Sequence, residues 1–202
     1  MPEPQQPRPG LQLLAEAGNE WETAKLEELH RLFGERALLG AATVGPTGVR
    51  FANCDLGATL AMARPGQFIV RPQFTVGAAL RAALGVDDLT RDYGLEYGSL
   101  IPDLVQVSEP ASSSAFAVRP DGDTAPIAPT DTRVRLRVID IKLTAEPNPG
   151  YFSEIVFYSL ALAGWLEDAG LQNHFVVTSD AAIWPGAHGA SELAQYAVRC
   201  QQ

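Results

Sequence analysis

The chain has 202 residues, 46% of them hydrophobic, enough for one domain with a continuous core and little more. A formal net charge of −9 argues against a protein that coats nucleic acid through a broad basic face. It leaves room for an enzyme acting on nucleic acid, because a divalent-metal site itself needs clustered carboxylates. Two cysteines, Cys54 and Cys200, without Cys-x-x-Cys spacing, argue against a disulfide framework, a zinc ribbon or an iron–sulfur cluster, and predict inert thiols in a reducing cytoplasm.

The opening MPEPQQPRPG (1–10) is Pro-rich and polar, lacks the apolar run of a secretory signal, and is expected to be a flexible leader. A single domain is expected over 11–186, followed by a tail, 187–202, that carries little signal. The segment 11–34 reads as a long helix, with Leu11, Leu14, Leu26, Leu29 and Phe33 at helical spacing and Gly34 as its stop. Next come short extended segments around a Gly-Pro-Thr-Gly turn, then an Ala-rich helix closed by Pro65-Gly66. QFIVRPQF reads as one strand, confined by Pro72 to an edge or a strand end. VGAALRAALGV is expected to add a helical turn or two, and GLEYGSLIPDLVQVSE an extended pair. The stretch 109–132, rich in Pro, Ser, Ala, Gly and Asp, is a loop insertion or a hairpin tip. RVRLRVIDIKLT is a strand, PGYFSEIVFYSLALAGWLEDAG a helix, and HFVVTSDAAIW a further strand or hairpin. The longest apolar run, IVFYSLALAGWL, falls short of the roughly 20 residues that span a membrane. A buried helix, a soluble cytoplasmic protein and no membrane partner are therefore expected. The order of elements predicts an α/β (α+β) fold, a mixed central sheet flanked by helices.

One strand carries more than a core strand needs. Side chains alternate faces along it. Its even positions run Val134, Leu136, Val138, Asp140, Lys142; its odd positions run Arg133, Arg135, Arg137, Ile139, Ile141, Leu143. The odd face turns from charged to apolar, so something covers its second half. The even face turns from apolar to charged, so it leaves the core for a polar cleft. An edge strand with a surface Asp–Lys pair is the plain alternative, and the arginine row is either a solvated face or a contact for a nucleic-acid backbone. On the next helix Asn148 suits the N-cap, Pro149 the first turn, and Glu154 and Tyr158 share a face at i, i+4. On the first helix Glu22 falls on the apolar stripe and requires a cation, from a salt bridge or a metal, while Gly18 leaves room there for another element. Asp103 opens an apolar strand after Pro102.

Together these residues resemble the PD-(D/E)xK nuclease superfamily, specifically its RecB-like branch. The matching text is GNEWE for Gly18 to Glu22, IPDLV for Asp103, IDIKL for Asp140 and Lys142, and EIVFY for Glu154 to Tyr158, with Glu154 where that pattern has Gln. The resemblance spans most of Gly18 to Trp184 and implies a restriction-endonuclease-like fold. It also implies a metal-dependent deoxyribonuclease for DNA repair, recombination or anti-phage defence, acting on single-stranded or end-bearing DNA, beside a helicase in many relatives. In that reading Glu22, Asp103, Asp140 and the carbonyl of Ile141 hold Mg²⁺ or Mn²⁺. Asp103, Asp140, Lys142 and Tyr158 carry the chemistry, Lys142 orienting water or stabilising charge, and Glu154 and Tyr158 face the substrate. No iron–sulfur cluster is implied. The alternative is a catalytically inactive module of the same fold that binds DNA or scaffolds a larger complex. A binding domain whose carboxylates are merely surface is a third reading.

Overall fold

Residues 9–45, 48–110, 115–143 and 148–185 are described by the structure, a computed structural model. The expected leader and tail lie outside them, except that the first helix, α1 (Pro9–Phe33), already includes Pro9 and Gly10; the side chains of Leu11 and Leu14 also lie outside. Gly34 ends α1 as expected: its φ of +79° is one that side chains disfavour, and its N–H returns to the His30 carbonyl at 2.9 Å. A short 3-10 turn leads into β1 (Leu38–Leu39), and β2 (Ala41–Gly45) pairs antiparallel with β3 (Gly48–Ala52) around the expected turn, whose central residues are not described. After β4 (Cys54–Asp55), Asp55 caps α2 (Leu56–Leu60) by accepting from Ala58 N–H at 2.7 Å. That helix ends five residues short of the Pro65-Gly66 stop.

The single strand expected at QFIVRPQF is two. β5 (Gln67–Val70) lies inside the main sheet, and β6 (Pro72–Thr75) belongs to a small sheet with β4 and β7 (Ser99–Leu100). The chain breaks between them at Arg71, φ +50°, where Pro72 removes the N–H that would have continued the ladder. α3 (Ala78–Leu84) is the expected helix; α4 (Asp87–Tyr93), an acidic-start helix, was not anticipated. β8 (Leu104–Ser108) follows, and the insertion folds back as a hairpin of β9 (Phe116–Val118) and β10 (Thr124–Pro126). β11 (Val134–Lys142) and α5 (Pro149–Asp168) come next. Asn148 caps α5 by accepting from Gly150 N–H at 2.9 Å, and Pro149 sits in the first turn. β12 (Phe175–Val177) and β13 (Ala182–Pro185) are not a hairpin: both run parallel to β11, one after the other along its length.

Among the described residues the main sheet has the order β1-β5-β8-β11-β12, with β13 also on β11. β1–β5 and the β11 pairs with β12 and β13 are parallel; β5–β8 and β8–β11 are antiparallel, so the sheet is mixed. Each face has its own core. Leu136, Val138, Val105 and Val107 pack with Ile155, Leu162 and Leu166 of α5 and Leu80 of α3. A Cβ on Gly164 would lie 3.0 Å from Leu80, so this glycine sets the close approach of α5 to α3. On the other face Ile139, Ile141, Leu104 and Trp184 pack with Leu26 and Leu29 of α1. α1 is thus the cover expected for the second half of the odd face. Lys25 fastens it, with its Nζ 4.9 Å from the Trp21 ring, 5.1 Å from the Trp184 ring, and 3.1 Å from Glu28.

Three sequence expectations change here. β11 lies inside the sheet, not at its edge, which removes the surface-pair alternative for Asp140. The arginine row is not a free basic face: Arg135 and Arg137 are buried, Arg137 donates to the Asp180 carbonyl at 2.7 Å, and Arg133 is paired with Asp131 at 2.7 Å. Among the described residues no element packs on Gly18, since a Cβ there would touch nothing within 4 Å.

Candidate functional site

The site begins where the β8–β11 ladder runs out. Leu136 faces Val107, Val138 faces Val105 and Ile139 faces Leu104. One further step of that antiparallel register sets Asp103 opposite Asp140, both on the side of Val105 and Val138 that looks toward α5. The Asp103 side chain extends the ladder in place of backbone: its Oδ2 accepts from Ile141 N–H at 2.6 Å. On the other side of β8, Val70 faces Leu104, and Arg71 N–H donates to the Asp103 carbonyl at 2.9 Å. Three adjacent strands therefore deliver Arg71, Asp103 and Asp140 to one level.

Asp140 is 2% exposed, and a carboxylate so buried is there for a partner. It stands close enough to Asp103 for each carboxyl to shift the other's titration. Burial pushes the Asp103 carboxyl well above the ordinary range, the charges of Asp140 and Glu22 push it further, and the Ile141 N–H opposes them. Burial also raises Asp140, against the pull of Lys142 and with a further push from Glu154. Two like groups this close titrate as a pair, and both are pushed upward, Asp103 the more strongly.

Lys142 is anchored by α5. Its Nζ lies 2.8 Å from Asp140 Oδ2, 2.9 Å from Glu154 Oε2, and 5.2 Å from the Tyr151 ring. The approach to Asp140 is an ion pair off the hydrogen-bond direction, because that buried oxygen has no hydrogen-bond partner. Burial alone would lower the Lys142 pKa, but the two carboxylates outweigh it and raise it above the ordinary lysine range. Tyr158 donates to Glu154 Oε1 at 3.3 Å. Burial and the charges of Glu154 and Asp140 push its phenol up to about 12. Glu154 is thus the hinge between Lys142 and Tyr158, and its charge is a counter-ion to the lysine that a glutamine could not supply.

Glu22 reaches the same region from α1 on the opposite face. Its buried Oε1 has no hydrogen bond, and the cation beside it is the Arg71 guanidinium, with Nε at 3.7 Å. Burial raises the Glu22 pKa, Arg71 opposes it, and the charge of Asp140 adds to it. Glu22, Asp103 and Asp140 therefore feel one another, as three carboxylates around one cleft should. Their hard oxygens, two of them buried without a hydrogen bond, suit a divalent cation in type and charge. They do not form a closed ligand set: among the described residues no group of three His, Cys, Asp or Glu side chains is arranged to hold a metal ion. Asp103 and Asp140 are a pair, and Glu22 is turned to Arg71.

All of the sequence-predicted site residues, Glu22, Asp103, Asp140, Ile141, Lys142, Glu154 and Tyr158, thus belong to one connected region. Ile141 enters through its N–H, bonded to Asp103, rather than the carbonyl expected of it. Arg71 was missed; the only sequence signal was the Arg-Pro step inside a strand. A separate cavity of about 620 Å³ between α3, α5 and the β9–β10 hairpin is lined by none of these residues. No family model, curated protein or solved structure matches the chain.

Proposed function

We propose that this chain is a Mg²⁺- or Mn²⁺-dependent deoxyribonuclease with a restriction-endonuclease-like sheet, hydrolysing phosphodiester bonds in single-stranded or end-bearing DNA. The observation that carries this reading is the register. Asp103 and Asp140 lie face to face at the end of two inner strands, with Lys142 one side-chain position beyond Asp140 on the same face. Asp103 and Asp140 would hold the cation, with Glu22 as the third carboxylate in its field. The cation, when bound, supplies the positive charge that acidifies a water and neutralises the scissile phosphate.

The chain's own residues have distinct tasks in this reading. Lys142 stays protonated across the working pH range, so it is no general base; it is a fixed ammonium that orients the attacking water and opposes charge building on the phosphate. Glu154 acts through Lys142 and is a positioning residue. Tyr158 stays a neutral phenol, a donor that steadies Glu154. The purified protein with Mn²⁺ is expected to cut single-stranded DNA, and Asp140→Ala or Lys142→Ala to lower the rate by about 10³-fold or more. Cutting that survives both substitutions would sink the assignment.

A second reading, a non-catalytic DNA-binding or scaffolding module, is favoured by one observation: Lys142 is already neutralised by two carboxylates. Titration calorimetry with Mn²⁺ separates the two. A stoichiometric site lost in Asp140→Ala supports the enzyme; no heat of binding supports the module.

A further inference from the structure

We propose that the cleft between α1 and the β2–β3 hairpin seats a nucleic-acid strand, with a backbone phosphate held between Arg50 and Arg71; this deepens the nuclease reading and rests on it for the identity of the ligand. The cleft has a volume of about 500 Å³, a size that takes a ligand of small-molecule dimensions. Leu26 and Phe51 form an apolar wall, and Arg50 and Arg71 line it beside Glu20 and Glu22.

Two arginines line this one cleft, and among the described residues neither guanidinium is hydrogen-bonded to a carboxylate. In a chain of net charge −9, Arg81, Arg91, Arg133 and Arg137 each answer a nearby carboxylate or carbonyl. The exposed Arg50 guanidinium has no ion pair among the described residues. Arg71 makes one, at 3.7 Å to Glu22, too long to be a hydrogen bond. A guanidinium offers parallel donors that match two phosphate oxygens, a geometry lysine lacks.

The Arg71 backbone adds a second observation. Among the described residues it is the only one other than glycine with positive φ, at +50°. The conformation is held from both sides: its N–H donates to the Asp103 carbonyl at 2.9 Å, and its carbonyl accepts from Cys54 N–H at 3.1 Å. A strained backbone fixed by its surroundings is a mark of a functional position. Here it turns a side chain out of the sheet at the level of the Asp103–Asp140 pair. Glu22 lines the cleft and its charge is felt at Asp103 and Asp140, so the cleft adjoins the carboxylate pair. Glu20 and Glu22 lie in the same cleft, and the phosphate therefore takes the arginine side of it.

The test is fluorescence anisotropy of a short labelled single-stranded DNA with the full chain in EDTA, at several salt concentrations. Arg50→Gln is expected to weaken binding by about 3–10-fold and Arg50→Glu by about 10-fold or more. The salt dependence should become shallower, by roughly 0.7 in slope for each phosphate no longer neutralised. Arg71→Gly removes the guanidinium where glycine accepts the backbone angle, and is expected to behave like Arg50→Gln. Arg119→Glu, an exposed residue of the β9–β10 hairpin, is the charge-matched control and should bind as the parent does. Circular dichroism establishes that each variant is folded. Parent-like affinity and salt slope in Arg50→Glu and Arg71→Gly, or no binding by the parent chain, would overturn the proposal. DNA cutting with Mn²⁺ is scored separately. Cutting without arginine-dependent binding sinks the cleft alone; arginine-dependent binding without cutting leaves the cleft standing and sinks the enzyme.

Discussion

Asp103 concentrates the electrostatic tension of the molecule. Its carboxyl is held against a backbone N–H, opposite a second aspartate, within the field of a glutamate, and away from water. Because its folded pKa is raised, the folded chain keeps a proton that the unfolded chain gives up. The stability this confers is complete below the ordinary aspartate value of 3.8 and is lost as pH rises through the raised folded value. Metal-free protein is therefore expected to melt at progressively lower temperature across that window. Asp103→Asn keeps an acceptor for Ile141 and supplies a permanent donor to Asp140, so it should flatten the decline. Thermal melts of both proteins in EDTA from mildly acidic to neutral pH check this; parallel curves would contradict it. Added Mn²⁺ should raise the parent melting temperature most at the upper end of the window, where no proton competes for the carboxylates.

At the scale of elements, the site depends on two helices that approach the sheet from opposite faces. α5 is capped at Asn148 and locked on α3 at Gly164, whereas α1 relies on Leu26, Leu29 and the Lys25 ammonium between two tryptophans. Lys25→Ala is expected to destabilise the fold by roughly 2–3 kcal/mol, about 5–10 °C in melting temperature, and to weaken Mn²⁺ binding by loosening the helix that carries Glu22. A melt and a calorimetric titration measure the two effects. Much of this architecture was legible in the residues. The alternation along Val134–Lys142 located a strand that ends in a polar cleft, and Asn148-Pro149 located the start of α5. Other features depend on contacts between distant segments, which local pattern cannot carry. Arg135 and Arg137 read as an exposed row, because alternation tells which residues share a face and not whether that face is covered. Lys25 carried no local signal, since its partner Trp184 is distant in sequence. The break at Arg71 was hidden because the residues on either side of it suit a strand equally well.

Across the whole molecule, the β9–β10 hairpin and the site hang from opposite ends of the same two strands. The hairpin joins the end of β8 to the start of β11, about five residues, or roughly 17 Å, from the level of Asp103 and Asp140. A flexible Gly-Ser segment inserted between Asp121 and Gly122, both exposed, is expected to leave DNA cutting within about twofold and the melting temperature within a few degrees. Melts and a cleavage assay on that variant test it. The same length added between Asp103 and Leu104 would meet a different rule, since what matters there is parity and not length. One extra residue turns the Asp103 carboxylate toward α1 and away from Asp140; two return it to the correct face but about 7 Å too far along the strand. The acid pair is in this sense an odd-or-even property of the chain, unforgiving of a single residue beside it and indifferent to many at the other end.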